Sequence, residues 1–288
     1  MKFLNNLIFK VTLSSMIVSA PAMITGSGKD VVDGPTSAKG AMLPWYSSAV
    51  IKEFVNYARL TPKAIFPEDK PAIVTAEKMA APAMELRKVI NEAEVMYDSM
   101  ALDRSGLDEK AFEYAWRGYH NLLKRGLIRK KNVLSICDFS QSSCHKRMYV
   151  IDVYNRKLLY RTYVAHGQNS GGEYADSFSN EPNSFKSSLG FYLTRNTYFG
   201  HNGLSLRIQG VDSGYNDKAS KRNIVLHGSS YASFQYMQTT GTLGTSLGCP
   251  AIPSAISPRI IRVVKNGSCI FIYHPTRTYL EQSTVING

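Results

Sequence analysis

The 288-residue sequence has little cysteine, little acid and no long apolar run beyond its first 22 residues. Four cysteines, none spaced as CxxC, exclude a disulfide-built scaffold and speak against a zinc ribbon. No HExxH or similar pattern is present, and neither a metal nor a cofactor is expected. The 22 acidic residues face 34 Lys and Arg, a formal charge of +12, so polyanionic surroundings attract the chain. The basic residues are dispersed and no nucleic-acid-binding signature accompanies them, which argues against a nucleic-acid partner. Only 19% of residues are charged and 44% are hydrophobic, a balance that excludes disorder throughout. No internal repeat or low-complexity run occurs.

What is present falls into segments. Residues 1–22 combine Lys2 and Lys10, an apolar stretch from Val11 to Ala22 and small residues around Pro21. They read as a secretory signal, too short for the about 20 apolar residues of a membrane span. Seven of the 12 prolines precede residue 85, so 23–84 reads as a loosely structured lead segment with one short helix over 47–59. Residues 85–126 read as helical, with helices over 84–100 and 108–124. In the second, Phe112, Ala115, Tyr119, Leu122 and Leu123 form a stripe, Asp108 is the N-cap and Gly126 the stop. From 127 to 276 the texture is short β-rich runs separated by Gly, Asn and Ser, which predicts a mostly antiparallel β domain. Residues 277–288 read as a tail. The class is α+β, a mainly β domain preceded by a helical region.

Among the cysteines, Cys137 and Cys144 lie seven apart across a polar loop between two strand-like runs, where a disulfide is expected in an exported protein. Cys269 opens an apolar strand and reads as core. Cys249 stands in Gly244-Thr245-Ser246-Leu247-Gly248-Cys249-Pro250, where Gly248 permits an unusual backbone angle and Pro250 biases Cys249 away from helix. The thiol is thus expected on a rigid loop. His227 ends the strand-like run Asn223-Ile224-Val225-Leu226 and is followed by Gly228, which leaves an imidazole at a strand end. A cysteine attacks as its thiolate, and a neighbouring imidazole is the usual means of generating one. Spacing alone favours a loop cysteine with an unrelated histidine.

The pattern His227-Gly228, then after 17 residues Ser246-Leu247-Gly248-Cys249, resembles the signature of the L,D-transpeptidases, the YkuD-like family. The runs DFSQSSCHKRMYVIDV, VAHGQNSGG, FSNEPNSFKSSLGFY, SLRIQGVDSGYNDKASKRNIVLHGSSY and TSLGCPAIP resemble its murein L,D-transpeptidase catalytic domain branch, over about residues 107–273. Two positions depart from the main family. Leu247 stands where histidine is common, and Pro250-Ala251 stand where an aliphatic residue and then arginine or asparagine are common.

The resemblance implies a β-sandwich or barrel and cysteine-dependent acyl transfer on peptidoglycan stem peptides. Cys249 becomes the nucleophile, His227 its base and the Gly228 carbonyl the group that fixes the imidazole tautomer. The amides of Leu247, Gly248 and Cys249 form the oxyanion hole. His166, which also ends a strand-like run before a glycine, Arg222, Asn216, Tyr231 and Ser246 become candidates for substrate binding, while His120, His145, His201 and His274 read as surface or packing residues. Exported, the protein is expected in the periplasm or at the cell wall, with no stable membrane insertion once the signal is removed.

Two other readings compete. Gly244-Thr245-Ser246-Leu247-Gly248 matches the G-x-S-x-G nucleophile elbow, but two prolines follow closely and no acid precedes a later histidine. A non-catalytic peptidoglycan-binding protein on the same fold is the stronger alternative, and the reactivity of Cys249 separates it from an enzyme.

Overall fold

A computed structural model describes residues 76–288. The expected signal over 1–22, the helix over 47–59 and most of the proline-rich lead segment lie outside the described residues.

Helix α1, Ala76–Ser99, starts earlier than the prolines suggest and runs through Pro82. Pro82 is the seventh residue, past the first turn, so the helix forgoes the one bond that an N–H there would make to the Lys78 carbonyl. Farther along, Val89, Ala93, Met96 and Tyr97 are buried, and Tyr97 meets Phe112 of the next helix at 5.8 Å between ring centroids. Helix α2, Glu109–Lys124, is set by local chemistry: the Asp108 carboxylate accepts from Ala111 N–H at 2.8 Å. It buries Phe112, Ala115, Trp116, Tyr119 and Leu122, and Gly126 at φ +68° follows its end.

Eight strands form one sheet: β1 Val133–Asp138, β2 Met148–Asp152, β3 Lys157–Thr162, β4 Gly190–Gly200, β5 Gly203–Gly210, β6 Val225–Ser229, β7 Ala251–Pro253 and β8 Cys269–Tyr273. Their spatial order is β3-β2-β1-β8-β4-β5-β6-β7. Most neighbours are antiparallel, but β1 and β8 run parallel at the centre and β6 and β7 run parallel at one edge. The central strands β1, β2 and β8 are buried along their whole length, which explains their near-continuous apolar runs.

The sheet curls towards closure. Past β3, Ala165 bridges Ala251 of β7 antiparallel, and Gly167 lies parallel to Ser246. Of the two expected forms, sandwich or barrel, this near-barrel is the one observed. Three short helices within and after the β domain, α3 Phe234–Thr240, α4 Ser257–Val264 and α5 Arg277–Gln282, together with α6 Thr284–Asn287, were not anticipated.

Residues 277–288 are not a tail. Tyr279, Val285 and Ile286 are buried, and Ser283 Oγ donates to the buried carboxylate of Asp212 at 2.5 Å. The short helices are too brief to show a period, so their apolar faces become visible only against the core they complete.

Helix α2 rests on the sheet through Gly118. A Cβ there would lie 2.1 Å from Cζ of Phe191, which is itself buried and stacked on Phe271 at 4.2 Å. Gly118→Ala is therefore expected to lower stability by about 1–2 kcal/mol, because overpacking outweighs the gain in helix propensity. Thermal melts followed by circular dichroism measure this.

Candidate active site

The register of β6 and β7 lays the backbone of the cysteine loop along the strand that carries His227. His227 lies beside Ala251, so two residues earlier the parallel alignment sets Cys249 beside Val225. The Val225 N–H donates to Cys249 Sγ at 3.4 Å, the direct sign of this alignment.

The imidazole is oriented. His227 is buried, and its Nδ1 lies 3.0 Å from the Gly228 carbonyl oxygen. A carbonyl only accepts, so Nδ1 carries the hydrogen and Nε2 keeps its lone pair. Burial pushes the His227 pKa below 6.5, so the ring is neutral near pH 7. Gly228 is required sterically, since a Cβ there would lie 2.3 Å from Ser257 Oγ at the start of α4.

The thiol is half-buried and points its hydrogen at Asn223 O, at 3.8 Å, rather than at His227. Burial pushes the Cys249 thiol up, and the Val225 N–H and the Arg222 guanidinium work against that rise. Gly248, at φ +116°, allows the turn. A Cβ there would lie 2.8 Å from Lys186 O and 3.2 Å from Arg222 Nη2.

Several residues expected to touch substrate hold the loop instead. Ser246 is buried, and its hydroxyl donates to Cys249 O at 2.6 Å while accepting from Gly248 N–H at 3.1 Å. That bond takes the Gly248 amide out of the expected oxyanion hole. The N–H groups of Leu247 and Cys249 have no protein acceptor among the described residues. Asn216 is fully buried away from the loop, accepting from Asp212 N–H and donating to Phe191 O. Arg222 spends its guanidinium on the 179–188 segment, donating to Ser179 O and Lys186 O at 2.7 Å each and to the hydroxyls of Ser184 and Ser188. Tyr231 stays close: its ring covers Gly244 and its carbonyl accepts from Gly244 N–H at 2.9 Å. Leu247 is 62% exposed beside the cysteine.

His166 is 1% exposed and lies behind the loop. Its carbonyl accepts from Ser246 N–H at 2.8 Å, Nε2 donates to Gly171 O at 3.2 Å, and Nδ1 accepts from Arg147 Nη2 at 2.7 Å. Arg147 was not anticipated, since a basic residue in the run His145-Lys146-Arg147 looks solvated. It is fully buried, donating also to Val164 O and Gln141 O and lying over the Phe139 ring at 4.7 Å.

Cys137 and Cys144 are free thiols, not the expected disulfide. Cys137 is buried in β1 beside Met148, whereas Cys144 turns out of the connecting loop towards Gly241 O at 3.4 Å.

Fold and site together define a β-rich, near-barrel domain whose cysteine loop lies in the seam where the sheet closes. The family model of the L,D-transpeptidase catalytic domain matches residues 103–273. The chain belongs to the L,D-transpeptidase family. Similar solved structures include an L,D-transpeptidase from Mycobacterium smegmatis, 13% identical over 50% of this chain and 59% of that one, TM-score 0.30. Another is an L,D-transpeptidase from Xylanimonas cellulosilytica, 13% identical over 54% of this chain and 68% of that one, TM-score 0.29. A third is the helical cell shape determining protein Pgp2 from Campylobacter jejuni, 14% identical over 55% of this chain and 56% of that one, TM-score 0.34. The chain thus spans 59% of the Mycobacterium smegmatis protein's length. No curated protein matches significantly.

Burial and the Arg147 guanidinium push the His166 pKa down to about 4, from 6.5. A histidine held neutral in the fold contributes stability that is whole above 6.5 and is lost as the pH falls towards 4, because the unfolded chain takes up the proton first. Between pH 7 and pH 4.5, wild type should lose roughly 2 kcal/mol more than His166→Gln, which cannot titrate. Urea unfolding of both proteins at the two pH values measures the difference.

Proposed function

We propose that this protein is an exported cysteine acyltransferase acting on peptidoglycan stem peptides. The observation that carries this reading is the Cys249 loop lying along β6, the strand that bears His227, with Nε2 of the imidazole left unprotonated by the Nδ1–Gly228 bond. In this reading Sγ attacks the carbonyl carbon of the third stem residue, a diamino acid. The thiol proton passes to His227 Nε2 as the C–S bond forms. The N–H groups of Leu247 and Cys249 face the developing oxyanion, a stabilisation of about 3 kcal/mol per donor. Collapse of the tetrahedral intermediate expels D-alanine, whose nitrogen takes the proton from the imidazolium. The thioester then passes to an amine, or to water, in which case the activity is that of an L,D-carboxypeptidase. That no Sγ–imidazole hydrogen bond exists here is compatible with this chemistry, because catalytic bonds often tighten only when substrate is bound.

A second reading rests on the same bond pattern. The thiol donates to Asn223 O and burial raises its pKa, as suits a stem-peptide-binding protein without turnover.

Incubation with a purified disaccharide-tetrapeptide, followed by mass analysis, separates the two. Cys249→Ala and Cys249→Ser are expected to lower D-alanine release by at least about a thousandfold with the fold intact. Absence of release from the wild type, with the tetrapeptide retained by both proteins, would establish the binding module instead.

A further inference from the structure

Among the described residues, the cation beside the cysteine loop has no anionic partner. Arg222 stands on the turn that leads into β6 and is half-buried. Its four acceptors, Ser179 O, Lys186 O and the hydroxyls of Ser184 and Ser188, are all neutral. The acid that influences it, Glu181, is exposed and paired with Lys218. The guanidinium is pinned in place but its charge is not cancelled. It is aimed at the loop, because Nη2 lies 3.2 Å from the position a Cβ on Gly248 would take, one residue before the nucleophile.

We propose that Arg222 is the standing counter-cation of the Cys249 thiolate, and that His227 serves as the carrier of the proton rather than as the thiolate's ion-pair partner. This rests on the assignment of Cys249 as nucleophile. When the resting thiol ionises, the S–H bond breaks heterolytically, the electron pair stays on Sγ and the proton leaves by way of His227 Nε2, which hands it on to solvent and returns to its neutral form. The titratable groups whose charge reaches Cys249 are Tyr192 on β4, Tyr231 on the turn after β6 and Arg222 itself, while His227 stands on β6, the strand whose Val225 N–H meets the thiol. Burial holds both tyrosines and the histidine in their neutral forms near pH 7, which leaves the guanidinium as the one charge among them. An arginine suits this duty because it remains protonated where a buried imidazole does not. The 179–188 segment thereby gains a second role: its carbonyls and hydroxyls fix the cation without neutralising it.

The test is the pH dependence of Cys249 alkylation in the full chain, read by mass spectrometry on the peptide that contains it. Iodoacetamide and the anionic iodoacetate are run in parallel, with Cys249→Ala as background for Cys144. Arg222→Gln should move the reactivity midpoint up by about one pH unit, slow alkylation about tenfold at neutral pH and lower the iodoacetate-to-iodoacetamide rate ratio. The high-pH plateau should not change. Arg222→Lys should retain most of the ratio, and it decides the matter if Arg222→Gln does not fold. His227→Gln should leave the midpoint nearly in place. An unmoved midpoint in Arg222→Gln, or a ratio lost in Arg222→Lys, overturns the proposal, as does a midpoint that follows His227 instead. A loss of reactivity equal for both reagents at every pH would mark a merely structural role and overturn it as well. No substrate enters this measurement, so it fails or succeeds independently of the D-alanine assay.

Discussion

Closure of the curled sheet by a few backbone hydrogen bonds is the constraint on which the site depends. Ala165 and Ala251 exchange amide and carbonyl at 2.8 and 3.3 Å, while Ser246 donates to His166 O and accepts from Gln168 N–H, both at 2.8 Å. Each such bond contributes only about 1 kcal/mol net, but leaving its groups buried and unpaired would cost more. The loop that bears Cys249 is thus gripped on one side by β6 and on the other by the chain returning past β3. A thiol placed in a seam is positioned by two distant parts of the sequence at once.

The seam is backed by a buried cation that the hydrophobic effect alone would reject. Arg147 is tolerated because its donors meet carbonyls of Val164 and Gln141 and a neutral His166 ring, with the Phe139 face beneath. A buried charge is kept in this way by complete hydrogen bonding, without a carboxylate. The same logic governs Arg222 across the loop. Two arginines, one deep and one half-buried, stand by the segment, and each is held by acceptors that carry no formal charge.

Legibility of the sequence followed the range of the forces involved. The second helix could be read because Asp108 caps locally and the Phe112, Ala115, Tyr119 and Leu122 stripe repeats at the helical period. The long strands could be read for the same reason. Strand β7 could not, since it is three residues long, preceded by Pro250 and ended by Pro253, and prolines ordinarily mark loops. At the site, Cys249 and His227 stood out because glycine and proline beside them limit the backbone. The duties of Asn216, Ser246 and His166 were hidden: polar residues look like ligand-binding groups until tertiary contacts show their hydrogen bonds already spent inside the protein. The absence of a Cys137–Cys144 disulfide was equally illegible, because spacing cannot report that one thiol enters the core while the other turns out. Arg147 gave no signal at all.

The parallel pairing of β1 with β8 ties Leu134–Asp138 to Cys269–Tyr273, at opposite ends of the β domain in sequence. During synthesis, β1, β2 and β3 emerge as a three-stranded piece whose β1 edge, Val-Leu-Ser-Ile-Cys, has no neighbour until nearly the whole chain has been made. An apolar open edge of that kind is an invitation to pair with other chains. The order of translation therefore builds a waiting period into this fold, and the cysteine loop, which depends on a sheet that only the last strand completes, is among the last parts to take its shape.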